Sequence, residues 1–192
     1  IYYIRRWNKR VTFLITLMFI KTYKIENLLD SNWKERIEII EKLSNELTTI
    51  PKIRFKIYDD KLEYSQKFIK NDKTTFDITL IAETLDYFEK IGFIYGDFNR
   101  KNLISNNGIG YIVDFEPSLK QIKDGKEALM FTMPYISIND FKNKTLTSQT
   151  DKVGFYYYLK RIKGEVSSSD IVEFKNKIIN QIGFIDDEIF SK

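Results

Sequence analysis

A polar loop between two short apolar segments is the most informative feature of this sequence. The stretch, residues 93–118, reads FIYGDFNRKNLISNNGIGYIVDFEPS, and its apolar segments are residues 93–95 and 111–113. The sequence SNNG at 105–108 is typical of a tight turn between strands. A short strand pair around this turn brings the end of the second apolar segment back beside the polar loop.

Three polar side chains on this stretch have the chemistry of a phosphoryl-transfer site. Asp97 and Asn102 lie five residues apart on one loop, and Asp114 ends the second apolar segment. Phosphoryl transfer from ATP needs a carboxylate for the hydroxyl of the nucleophile and oxygen ligands that hold Mg²⁺ against the phosphates. The pattern predicts Asp97 as base or orienting group, and Asn102 and Asp114 as metal ligands. The alternative is that the first two form turns and the third merely ends a strand.

These residues resemble motifs of the protein-kinase-like superfamily. Its catalytic loop reads H-[RG]-D-x-x-x-x-N and its metal motif reads D-F-G; this chain has YGDFNRKN at 95–102 and DFE at 114–116. The Gly-Asp form of the loop is similar to that of aminoglycoside phosphotransferases and lipopolysaccharide-core sugar kinases. The resemblance implies ATP and Mg²⁺ as cofactors.

Two later stretches extend the resemblance. FTMPYISINDF, residues 131–141, resembles the end of a protein-kinase activation segment, and DKVGFYYYLKRI, residues 151–162, resembles the helix that follows it. The resemblance implies that Thr132 contacts Asp97. It also implies that Asp151 supports the catalytic loop from beneath.

Upstream, the family places a lysine on a strand against the α- and β-phosphates, paired with a glutamate on the next helix. Lys21, after three apolar residues, matches the lysine best, and Lys24 is the alternative. On the helix predicted over residues 32–47, Glu41 lies at the edge of the apolar face, whereas Glu38 lies on a more exposed arc. The resemblance therefore implies a nucleotide-binding pair of Lys21 and Glu41.

Three positions depart from the family pattern. The first glycine of the chain is Gly92, so a Gly-rich phosphate loop is missing from this sequence or lies upstream of it. Tyr95 replaces the usual histidine, and Glu116 replaces the glycine after Asp-Phe, where it stiffens the backbone. On the loop itself, Lys101 is a candidate contact to the γ-phosphate or substrate, and Arg100 a candidate contact to an acidic acceptor.

The remaining periodicities predict an α+β chain. We expect a protein-kinase-like two-lobe fold with a reduced β-rich N-terminal lobe, residues 1–70, and a short helical C-terminal lobe, residues 71–192. The predicted elements are strands in 1–24 with a buried strand at 11–20, helix 32–47, a hairpin over 50–69 turning at Asp59-Asp60, helix 76–92, a long connection over 116–150, and helices 151–162 and 167–183.

Composition excludes several other classes of function. The 192 residues include no cysteine and no histidine, which removes disulfides, Ser-His-Asp catalysis and most zinc sites. The net charge of +4 is mild, and only residues 5–10 are locally basic, so a nucleic-acid partner is a weak third hypothesis. The apolar run 11–20 is too short to span a bilayer. No transmembrane segment is expected, and the composition is compatible with the cytoplasm.

The sequence thus predicts an ATP-dependent phosphotransferase acting on a hydroxyl of a protein, or of a lipopolysaccharide or other sugar. The alternative is a pseudokinase that serves as a nucleotide-binding or regulatory module. The missing glycines and Tyr95 motivate that alternative, and the intact Asp97, Asn102 and Asp114 argue against it.

Overall fold

The computed structural model describes residues 17–99, 101–132, 135–136, 138–161 and 176. This part of the chain mixes strands and helices, which confirms the predicted α+β class. In chain order the elements are β1 (Met18–Lys24), a 3-10 turn (Ile25–Asn27), α1 (Trp33–Glu46), β2 (Ile53–Ile57), β3 (Lys61–Lys67), α2 (Ile78–Lys90), β4 (Leu103–Asn106), β5 (Ile109–Ile112), β6 (Lys120–Lys123), β7 (Lys126–Leu129), α3 (Ile138–Asn143) and α4 (Ser148–Arg161).

The first three strands form an antiparallel sheet in the order β1-β3-β2. The predicted hairpin is present, and the Tyr58 N–H donates to the Lys61 carbonyl at 2.8 Å across its turn. Tyr64 on β3 lies opposite Lys21 on β1 and opposite Phe55 on β2. These three residues therefore form one row across the sheet, with their side chains on the same face.

Helix α1 has the amphipathic face that its sequence predicts. Trp33, Ile37, Ile40 and Leu43 are buried, at the spacing of one helix face. Arg36 is buried among them, which the pattern did not predict. The charged residues on the opposite arc remain exposed, so the helix is held by its apolar face and not by its own propensity.

One apolar core joins the sheet to the helices that follow it. It includes Ile53 and Tyr64 from the sheet, Leu85 and Phe88 from α2, and Phe155 from α4. Burying each such side chain stabilises the fold by roughly 1.5–3 kcal/mol. This core extends on both sides of residue 70, so the predicted division into lobes at that point stays a prediction.

A buried cation ties α4 to α2. The ammonium of Lys152, only 2% exposed, lies 2.8 Å from Asp86 and 2.6 Å from Glu89. A buried ammonium requires such partners, because its desolvation would otherwise lower its charged fraction. The ion pairs fix the position of α4 beneath the polar loop.

Residues 116–150, predicted as a long connection without clear periodicity, contain regular secondary structure. They include the hairpin β6–β7 and the helix α3. Asp124 and Gly125, at the hairpin turn, both have positive φ, of 51° and 73°. An Asp-Gly turn of this kind is a strong sequence signal for a hairpin. The strands beside it have only four residues each, which hides their alternation.

Strand β1 confirms a strand within residues 1–24 but corrects the expectation that the run 11–20 is buried. In its described part Met18, Phe19 and Ile20 are 39–43% exposed. β1 forms an edge of the described sheet, which leaves much of its surface open. The rest of the run, the basic residues 5–10 and the predicted helix 167–183, apart from residue 176, lie outside the described residues. Among the residues that the structure describes, no helix has the length and hydrophobicity of a membrane span.

Candidate functional site

The polar loop is held from beneath by a buried carboxylate of α4. Asp151 accepts the Tyr95 N–H and the Gly96 N–H, each at 2.7 Å. Burial raises the pKa of Asp151 to about 7, although these two donors and the charge of Arg36 act to lower it. The contact that the family resemblance implies for Asp151 is therefore present. It fixes the backbone directly before Asp97.

Tyr95 is held by packing and by one buried hydrogen bond. It is fully buried, and its hydroxyl donates to the Val113 carbonyl at 2.6 Å. Its ring makes edge contacts with Phe98, at 5.0 Å between centroids, and with Phe115, at 4.9 Å. Tyr95 thus links the loop to the chain that carries Asp114.

Asp97 lies at the centre of a small hydrogen-bond network. It accepts the Thr132 hydroxyl at 2.6 Å and the Asn102 side-chain amide at 3.0 Å. The contact with Thr132 is the one that the resemblance implies. Asn99, a residue that the sequence did not single out, donates to the Thr132 hydroxyl oxygen at 3.2 Å and to the Asp97 carbonyl.

The pKa of Asp97 is raised above its ordinary value. Partial burial is the largest cause, and the charge of Asp114 raises it further. The hydrogen bonds from Thr132, Asn99 and Asn102 act in the opposite direction, because they stabilise the ionised form. A carboxylate with a raised pKa is a better proton acceptor than one on an open surface.

Asn102 and Asp114 come together through the strand pair β4–β5. Leu103 pairs with Ile112, and the Val113 N–H donates to the Asn102 carbonyl at 2.8 Å. Asp114 is the next residue after Val113. Its backbone adopts a left-handed conformation, with φ of 63°, which turns the chain out of the strand.

Gln66 on β3 supports that conformation. Its side-chain oxygen accepts the Asp114 N–H at 3.0 Å and the Tyr64 hydroxyl at 2.5 Å. Gln66 is buried, and its hydrogen bond with the Tyr64 hydroxyl is shielded from water. This support could not be predicted, because β3 and Asp114 are far apart along the chain.

Asn102 and Asp114 have the donor chemistry that Mg²⁺ requires. Asn102 donates its amide hydrogens to Asp97, and no described residue donates to Asn102 Oδ1 or Asp114 Oδ2. The described residues contain no cluster of three or more acidic side chains suited to a metal. Two protein oxygens fit Mg²⁺, which keeps several waters and binds phosphate oxygens besides.

Lys21 reaches this site from the sheet. Its ammonium donates to Asp114 Oδ1 and lies 3.5 Å from Glu116 Oε1. Burial alone lowers the pKa of Lys21, but the charges of Glu116 and Asp114 outweigh it and raise the pKa above its ordinary value. The alternative lysine, Lys24, is largely exposed and pairs with Glu26 at 3.2 Å. Lys21 is the lysine that the fold brings to the site.

The predicted pairing of Lys21 with Glu41 is wrong. Both residues are described, and the Glu41 carboxylate instead accepts the Phe55 N–H at 2.6 Å. Helix α1 packs against β2, and β3 separates β2 from β1. With strands about 4.8 Å apart, Phe55 lies roughly 10 Å across the sheet from Lys21. Glu38 is exposed and does not replace Glu41.

Arg36 is a site residue that the sequence reasoning missed. It donates to the Glu116 carbonyl and the Ile94 carbonyl, both at 2.8 Å, and its guanidinium lies 4.7 Å from the centre of the Phe93 ring. Burial lowers its pKa to about 10, so it stays charged at neutral pH. The sequence feature that could have indicated a buried arginine is its position directly before Ile37, on the apolar face of a helix.

The loop cations are less constrained. Lys101 has an exposed side chain, and its backbone N–H donates to Asn99 Oδ1 at 2.8 Å. Its role in the site stays a prediction. Arg100 lies outside the described residues.

Two surface cavities have volumes of about 330 and 260 Å³, and Arg36 lines the smaller one. Both are lined by Asp30, Asn32 and Leu119, and neither is lined by Asp97 or Asp114. The candidate site is therefore defined by its converging polar side chains.

Comparison with known proteins supports the fold. Neither a protein-family model nor a curated protein matches the sequence. Among solved structures, the fold is similar to that of the kinase PK-1 of the Cydia pomonella granulovirus, with a TM-score of 0.57 and 12% identity. The match covers 93% of this chain and 75% of that chain. At this identity the likeness shows a kinase-like fold and no more.

Proposed function

We propose that this chain is a kinase-like phosphotransferase that moves the γ-phosphoryl group of ATP to a hydroxyl acceptor. One observation carries the proposal: Asp97, Asn102, Asp114 and Lys21 converge from the polar loop, the end of β5 and the sheet. If these residues served only to form turns and to end a strand, a lysine from the distant strand β1 would not be expected beside Asp114. The kinase-like fold agrees with this interpretation.

Each side chain has a role that its surroundings support. Asn102 and Asp114 would hold Mg²⁺, which neutralises charge on the phosphates when it is bound. Lys21 would contact the phosphates with an ammonium hydrogen that its carboxylate partners leave free. Asp97 would accept the proton of the acceptor hydroxyl as that oxygen bonds to phosphorus and ADP leaves. Thr132 and Asn102 would hold Asp97 in position for that transfer.

The proposal includes an arrangement of two lobes. Residues 1–70 would form the β-rich lobe and residues 71–192 the helical lobe, with ATP between the sheet that carries Lys21 and the loop that carries Asp97. Lys101, exposed on that loop, would contact the γ-phosphate or the acceptor. The acceptor would be a protein, or a lipopolysaccharide or other sugar.

A pseudokinase remains the second candidate. The observation that favours it is the lack of any glycine before Gly92, which leaves the phosphates without a Gly-rich loop from this sequence. Such a protein would bind nucleotide or a partner without transferring phosphate. Binding and turnover therefore have to be measured separately.

A melting experiment tests the proposal. Mg-ATP at about 100 times its dissociation constant should stabilise the protein by about 2.7 kcal/mol and raise its melting temperature by several degrees. ADP release in the same buffer then separates the two candidates, because a pseudokinase binds without turnover. If Mg-ATP, Mg-ADP and Mg-GTP all leave the melting temperature unchanged, the phosphotransferase proposal fails.

A further inference from the structure

We infer that Glu116 is the positioning residue for Lys21, in the role for which the sequence favoured Glu41. This inference rests on the proposed function, since it concerns how the phosphate-binding lysine is held. Glu116 follows Asp114 by two residues, at the position where the family motif has glycine. The glutamate at this position therefore adds a carboxylate beside Lys21, besides stiffening the backbone.

The surroundings of Glu116 make it a fixed carboxylate. It is 7% exposed, and its Oε2 accepts the Gln121 side-chain amide at 2.8 Å. Its carbonyl accepts Arg36 Nε, also at 2.8 Å. One hydrogen bond comes from β6 and the other from α1, so two separate elements hold the residue. Its Oε1 then lies 3.5 Å from the Lys21 ammonium.

The two acidic partners of Lys21 differ in what they could do once ATP is bound. Asp114 carries the oxygen proposed for Mg²⁺, and a metal there would compete with Lys21 for the same carboxylate. Glu116 is not one of the two proposed metal ligands and is already anchored by Gln121. Glu116 would therefore keep Lys21 in place while a third ammonium hydrogen meets a phosphate.

Glu41 cannot share this role in the arrangement described. Its carboxylate is engaged by the Phe55 N–H, at the other end of the row formed by Lys21, Tyr64 and Phe55. The rings of Phe55 and Tyr64 lie on that face of the sheet, with their centroids 5.3 Å apart. Glu41 accepts a backbone N–H at the edge of β2, so removing its charge should leave the position of Lys21 unchanged.

The matched variants are Glu116→Gln and Glu41→Gln, which remove a charge and keep the shape. Glu116→Gln should weaken Mg-ATP binding about tenfold, since it removes a charge-assisted contact to the lysine. Glu41→Gln should stay within about twofold of wild type. In a Lys21→Met background, Glu116→Gln should have no further effect on the dissociation constant, because Glu116 acts through Lys21.

Urea unfolding without nucleotide gives a second readout. A double-mutant cycle of Lys21→Met and Glu116→Gln should show coupling, and a cycle of Lys21→Met and Glu41→Gln should be additive. The positioning inference alone is overturned if wild type binds Mg-ATP and Glu116→Gln binds it equally well. It is also overturned if Glu41→Gln loses as much affinity for Mg-ATP as Glu116→Gln does. If wild type does not bind Mg-ATP, the proposed function fails and the positioning role fails with it. The unfolding cycle still reports whether the ion pair exists.

Discussion

Asp97→Asn should reduce ADP release from Mg-ATP by about 10²- to 10⁴-fold, the contribution typical of a general base. The amide keeps the size of the carboxylate and can still accept the Thr132 hydroxyl, which lies 2.6 Å from Asp97. It cannot take a proton from an acceptor hydroxyl or from water. Affinity for Mg-ATP should change little, because the proposed metal oxygens belong to Asn102 and Asp114. Steady-state ADP release and a binding titration measure the two effects.

Asp59→Asn is the matched control for this variant. It makes the same chemical change at an exposed position in the β2–β3 turn. Its turnover should equal that of wild type within experimental error. Equal turnover for Asp97→Asn and Asp59→Asn would exclude Asp97 as the base, whatever the nucleotide affinity.

Asp151→Ala should lower the free energy of unfolding by roughly 2–6 kcal/mol. The substitution leaves the Tyr95 and Gly96 N–H groups buried without their acceptor, and each orphaned donor costs about 1–3 kcal/mol. Turnover should fall as well, since these two residues precede Asp97. Urea unfolding followed by fluorescence measures the loss. Asp59→Ala, exposed in its turn, should change the unfolding free energy by less than about 0.5 kcal/mol.

The pH dependence of stability provides a further test of Asp151. Its pKa in the fold is raised to about 7 from an ordinary value of 3.8, so the folded state binds its proton more tightly than the unfolded chain does. The stabilisation from that proton is complete below about pH 4 and is lost as pH rises to about 7. Asp151→Asn cannot titrate. The stability difference between wild type and Asp151→Asn should therefore decrease over this range, by up to about 4 kcal/mol, and be flat above it. A difference that is constant from pH 4 to pH 7 would contradict the shifted pKa.

The local part of the site could be predicted from the sequence. The spacing of Asp97 and Asn102 fixes both on one loop, and the turn at 105–108 brings Asp114 back beside them through a short strand pair. The apolar face of α1 was predicted for the same reason, since helix periodicity is a local property. Thr132 and Asp151 needed the family resemblance, because nothing in their neighbourhoods indicates what they contact.

The partner of Lys21 could not be predicted because it depends on strand order. Sequence spacing gives a helix with Glu41 after the strand of Lys21, and it does not say which strand that helix packs against. The order β1-β3-β2 places α1 beside β2 and leaves Lys21 on the opposite edge. Glu116 and Gln66 were missed for a related reason, since each acts on a residue of another element. The β6–β7 hairpin was also not predicted, although its Asp-Gly pair is typical of a hairpin turn.

A calorimetric titration of ATP into wild type and Asp114→Asn, with and without Mg²⁺, tests whether Asn102 and Asp114 hold a metal ion against the phosphates. If Asn102 and Asp114 form a metal–phosphate site, wild type should bind ATP at least about tenfold more tightly with Mg²⁺ than without it. Asp114→Asn should lose most of that difference, because the Asp114 carboxylate is the stronger of the two ligands. Binding by wild type that is absent, or that is the same with and without Mg²⁺, would contradict the proposed site.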